Sequence, residues 1–152
     1  MNYKKIITAC LILCTILGIL TLCLPYKCIT LNGVISNHSF LTDALDGDIF
    51  YPGFLIEFLV VCLNFALPIV VLTNKKYYTK FWVWGLLLLS TVVAYLILDS
   101  FYFWSSLSAG KSYSHYEIKP GPALDLPIVE GILLVLTILL LVIERKRKTI
   151  NA

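Results

Sequence analysis

Charge is what this chain has least of. Charged residues make up 14% of its 152 positions and hydrophobic residues 59%, whereas soluble domains carry roughly 25% charged residues. Too few charges are present to cover a water-facing surface, which excludes an ordinary soluble globular domain. The short motifs of common chemistries are missing as well. There is no glycine-rich phosphate loop, no H-E-x-x-H and no C-x-x-C, so nucleotide hydrolysis, zinc hydrolysis and dithiol exchange lack their sequence basis. Histidine is confined to His38 and His115, too sparse to argue for a metal. Neither metal nor cofactor is expected, and no catalytic residue is assigned. Of the five cysteines, Cys10 and Cys14 lie one helical turn apart inside an apolar run, where thiols pack as small apolar groups. Cys23 and Cys28 are the one pair placed for a disulfide.

Long apolar runs, in contrast, are abundant. They cover residues 6–24, 54–72, 81–101 and 126–143, each close to the roughly 20 residues that cross a hydrocarbon core of about 30 Å. The expected fold is an all-α membrane protein, a four-transmembrane-helix bundle forming a single domain over residues 1–152. The positive "MNYKK" preceding the first run resembles a signal-peptide start, but no small-x-small cleavage site follows, so the run is read as a helix. Two long outer loops (25–53 and 102–125), a short inner loop (73–80) and a basic tail (144–152) complete the expected layout.

Basic residues set the expected orientation. Lys4, Lys5, Lys75, Lys76, Lys80 and the Arg145–Lys148 cluster fall on one side, leaving Lys27, Lys111 and Lys119 on the other. The positive-inside rule then places both termini in the cytoplasm of a cell (inner) membrane. Aromatic anchors agree, with Tyr77, Tyr78, Phe81, Trp82 and Trp84 at the inner boundary and Tyr51, Tyr102, Phe103 and Trp104 at the outer one.

Within the first outer loop, "YKCITLNGVIS" sets β-formers around Asn32-Gly33, a strong hairpin-turn signal. In the second, Ser112 to Ile118 alternates until Pro120-Gly121-Pro122 stops it. Together these predict a small extracytoplasmic β cap of a hairpin plus one strand. "DALDGD" (43–48) lacks the glycine and glutamate positions of a calcium loop and reads as a solvated turn.

The apolar runs are not uniformly apolar. Glu57, Val61, Asn64 and Pro68 follow steps of four, three and four and share one helix face. Thr8 and Thr15, then Thr91, Tyr95 and Asp99, then Glu130 and Thr137 form comparable stripes in the other runs. At about 1.5 Å per residue, Thr15, Asn64, Thr91 and Thr137 fall near the bilayer midplane, while Glu57, Asp99 and Glu130 fall near the outer boundary with Tyr95 a turn below. The expected arrangement is a polar seam of Thr15, Asn64, Thr91 and Thr137 beneath an acidic mouth. Glu57, Asp99, Glu130 and Tyr95 are accordingly the candidate ligand- or partner-binding residues, because intramembrane ionisable groups mark binding sites and pathways.

The layout resembles the claudin-like four-helix proteins in topology, with both termini inside and β structure in a longer first outer loop. That family's first-loop tryptophan and cysteine pair are missing here, so its adhesive function does not transfer. "LPY" after the first run and "PGPALDL" before the fourth also resemble small bacterial four-helix membrane proteins. The leading expectation is a non-enzymatic multi-pass protein serving as a binding or accessory subunit through its cap and outer acidic face. Its partners would be the lipid bilayer and a membrane protein or a second copy of itself. Nucleic acid is not expected, since the only dense basic segment is a short juxtamembrane tail. The alternative is an oligomeric pore or membrane-disrupting protein, holin-like or a defence effector, with the stripes lining a lumen. A membrane thiol enzyme acting through Cys23 and Cys28 is the third reading.

Overall fold

The computed structural model describes residues 3–48, 52–109 and 116–150. His115, Lys111 and Tyr51 lie outside the described residues, and so does the first part of the alternating stretch that begins at Ser112.

Four helices are long and apolar enough to cross a membrane: α1 (Tyr3–Cys23), α3 (Pro52–Thr73), α4 (Phe81–Ala109) and α5 (Leu126–Ile150). They pack together as a bundle, with α1 between α3 and α5 and α4 closing the other side. The protein is thus a four-pass membrane protein. Its outward surface is what a bilayer demands, with Ile12, Leu59, Leu89, Leu96 and Leu139 all exposed. In water such a surface would drive aggregation; in hydrocarbon it costs nothing.

Contact between α1 and α3 depends on Gly18. A Cβ at this position would lie 2.8 Å from the Cβ of Phe65, closer than two carbons pack, so the absent side chain lets the two backbones approach.

Between α1 and α3 the chain forms β1 (Lys27–Leu31), β2 (Val34–His38) and a short helix α2 (Phe40–Leu45). Asn32 and Gly33 both take positive φ, 50° and 82°, the left-handed pair that closes a two-residue hairpin, and Leu31 faces Val34 across it. After α4, β3 (Tyr116–Pro120) adds to the other edge of β1, giving an antiparallel sheet in the order β2-β1-β3. The expected hairpin plus strand is present. Helix α2 was not foreseen. It starts at a capping box, in which Ser39 accepts from the Thr42 N–H while the Thr42 hydroxyl accepts from the Ser39 N–H.

The spans also run past the apolar segments that announced them. α4 continues from Phe101 to Ala109 and α5 from Ile143 to Ile150, because nothing in either extension breaks a helix once hydropathy falls.

Two apolar clusters fill the interior. One joins Ile7, Leu11, Val71, Trp84, Leu87 and Leu134 toward the end away from the sheet. The other joins Tyr26, Phe40, Phe54, Val61, Leu98 and Leu124 beneath the sheet. Tyr26, Phe40, Phe54 and Phe101 form a continuous ring cluster with centroids 5.3 to 6.0 Å apart, which roots the cap in the bundle.

Candidate functional site

A polar layer separates the two apolar clusters. Asn64 on α3 donates from Nδ2 to Glu130 Oε2 on α5 at 2.7 Å. The Thr91 hydroxyl on α4 lies 3.1 Å from Asn64 Oδ1, with the Ser90 hydroxyl at 3.5 Å. Three helices are therefore bonded through one amide. Asn64, Thr91 and Glu130 are 0%, 2% and 1% exposed, so this layer is shut off from both lipid and water. Glu130 Oε1 is buried with no hydrogen-bond partner among the described residues, an uncommon condition for a carboxyl oxygen.

The remaining seam residues bond locally. Thr15 donates to the Leu11 carbonyl at 2.9 Å and Thr137 to the Leu133 carbonyl at 2.8 Å, each satisfying its hydroxyl on its own helix. Four residues expected to form one seam thus divide, with Asn64 and Thr91 bridging helices and Thr15 and Thr137 packing beside them. Glu130 joins the bridge.

A second polar site lies where the cap meets the bundle. A cleft of about 380 Å³ is lined by Tyr95, Asp99 and Tyr102 of α4 and by Gly121, Asp125 and Ile128 on the opposite wall. Of the four candidate binding residues, the structure brings Tyr95 and Asp99 together here. Glu130 belongs to the interior layer, and Glu57, half-buried on α3, meets neither group and makes no hydrogen bond or ion pair to a described residue. Asp125 was not singled out from the sequence, although it sits in the "PGPALDL" segment whose prolines and glycine mark the turn that forms the opposite wall.

The cap has its own polar relay. Asp43, read from the sequence as part of a solvated turn, is buried at 6% exposure. Its Oδ2 accepts from the Tyr26 hydroxyl at 2.6 Å and its Oδ1 faces His38 Nδ1 at 3.0 Å, while His38 Nε2 faces the Ser36 hydroxyl at 3.4 Å. The relay ties β2, α2 and the segment following α1 to one carboxylate. Burial, and after it the bond to Asp43, pushes the Tyr26 hydroxyl up from its ordinary value of 10.0. Burial pushes Lys27 down; its ammonium donates to Ser105 of α4 at 3.1 Å.

Cys23 and Cys28 are free thiols, as are Cys10, Cys14 and Cys62. Among the described residues no group of three or more His, Cys, Asp or Glu side chains is placed to hold a metal ion. No family model, curated protein or solved structure matches the chain.

Proposed function

We propose that this chain is a non-enzymatic binding or accessory subunit of a bacterial inner membrane, with both termini cytoplasmic and the cap outside, engaging its partner through the cap and the acidic face beneath it. The observation that carries this reading is the cleft at the cap-bundle junction. There Asp99 and Asp125 supply negative charge, and Tyr95 and Tyr102 supply aromatic faces and hydroxyls, a combination suited to a basic side chain of a partner protein. The distribution of basic residues supports the orientation.

Burial of the polar layer weighs against the pore reading. In a lumen built from several copies, the stripes would face away from each chain's own core; Asn64, Thr91 and Thr137 are enclosed by the helices of a single chain. The thiol-enzyme reading gains no support from Cys23 and Cys28.

A photoreactive benzophenone residue in place of Tyr102 tests the proposal in cells. It is expected to cross-link one membrane or extracytoplasmic protein, and the adduct is expected to fall several-fold in Asp99→Asn/Asp125→Asn. Cross-linking that ignores the loss of both carboxylates, or that captures lipid alone, would overturn the assignment.

A further inference from the structure

The end of the bundle away from the cap carries a second recess, independent of the cleft. Leu67 and Val70 of α3 and Val83 and Leu86 of α4 line a groove of about 140 Å³, with Tyr77 and Trp82 at its mouth. Val70, Leu86 and Trp82 are exposed, so the groove opens on the outer surface of the bundle. Tyr77 and Trp82 meet edge to face, centroids 6.2 Å apart. Paired amphipathic rings of this kind lie at the level of lipid headgroups.

Directly beyond them the α3–α4 connection holds Lys75, Lys76 and Lys80, and no carboxylate occurs anywhere between Glu57 and Asp99. Lys76 and Lys80 are exposed, and the Lys76 ammonium lies 5.2 Å from the Tyr77 ring centroid. Apolar walls, an aromatic mouth and a basic rim follow one another in the order of an acyl chain, a glycerol backbone and a phosphate. We infer that this groove is a binding site for an anionic phospholipid, one acyl chain lying between α3 and α4 and the phosphate meeting Lys76 and Lys80.

The charge selects the headgroup, since a zwitterionic lipid offers the same chains without net charge to match the rim. A second copy seated by the same face would bring its own Lys76 and Lys80 against these lysines, like charge against like.

Native mass spectrometry of the full chain, released from detergent with equal amounts of phosphatidylglycerol and phosphatidylcholine, tests the inference. Preferential retention of phosphatidylglycerol is expected. Lys76→Gln/Lys80→Gln, a surface change that leaves the core untouched, is expected to lower that preference roughly thirtyfold, at about a factor of five per lysine. Leu86→Trp, which fills the groove and keeps both lysines, is expected to reduce retention of both lipids, and glycerol phosphate without acyl chains is expected not to compete. Equal retention of the two lipids by the unaltered chain, a preference that survives removal of both lysines, competition by glycerol phosphate, or a second protein chain as the bound species would each overturn it.

Discussion

Asn64 shows how much one side chain can hold. Its amide accepts from α4 and donates to α5, so its loss leaves Glu130 with two buried oxygens lacking partners. Hydrogen bonds between membrane helices average about 0.6 kcal/mol, but leaving a buried polar group unsatisfied adds about 1–3 kcal/mol. Asn64→Leu is therefore expected to destabilise the bundle by more than a single bond, and adding Glu130→Leu to recover part of the loss. A double-mutant cycle on thermal unfolding in detergent measures that coupling; strict additivity would show that the two residues act separately. Tyr26 gives a prediction in pH. Its proton is held more tightly in the fold than in the unfolded chain, so its contribution is complete below about pH 10 and is lost as pH rises beyond it. Lys27, shifted downward, acts with the opposite sign in the same range and is kept in both proteins compared. Tyr26→Phe is expected to cost about 1.5–3 kcal/mol at neutral pH, the range for a hydrogen bond to a charged group, and to flatten the alkaline decline seen with Tyr26. Matching alkaline slopes would remove Tyr26 from the account.

Among the elements, those with one dominant local signal were legible in advance. Nineteen or so apolar residues in a row can only be a span, and Asn32-Gly33 between β-formers can hardly be anything but a hairpin. Helix α2 was hidden because six residues carry too little periodicity to register; its one mark is the Ser39-x-x-Thr42 spacing of the capping box, in which Thr42 stands where a glutamate or glutamine is usual. The grouping of site residues was hidden for a different reason. Counting residues along each helix fixes depth to within a turn, but which stripes face one another depends on helix rotation and neighbour order, and those come from packing. Glu130 was accordingly placed with Asp99 by depth and bonds Asn64 instead. Packing also explains why the position between β3 and α5 holds a glycine, Gly121. Its N–H donates to the Tyr26 carbonyl at 2.9 Å, and a Cβ there would collide with the backbone carbonyl of Pro25. Gly121→Ala is expected to cost about 3 kcal/mol, the upper end for overpacking, and to appear as protease cleavage within the cap while the helices remain folded by circular dichroism. An intact cap in that variant would mean that the junction yields more easily than its geometry implies.

For the molecule as a whole, the enclosed polar layer predicts electrical silence. Induced expression of the unaltered chain, of Glu57→Gln and of Asn64→Leu at matched levels is expected to leave the membrane potential of the cells unchanged in all three cases. Depolarisation by the unaltered chain that disappears in Asn64→Leu would instead make the layer a conducting path. The length of α4 has a consequence of another kind. Its 29 residues measure about 43 Å at about 1.5 Å per residue, the full thickness of a bilayer with its headgroups rather than of the hydrocarbon alone. Ser105, where Lys27 holds the sheet to this helix, is one turn past Phe101, so the cap is fastened within a turn of the end of the apolar run instead of standing clear on a stalk. On the same scale Tyr95, Asp99 and Tyr102 lie about 21, 27 and 32 Å along α4 from Phe81, so the cleft they line runs down from the end nearer the cap into the apolar part of the bundle. A partner that is itself embedded in the membrane would then reach the cleft by lateral diffusion, and its occupancy would follow the partner's surface density rather than any concentration in bulk water.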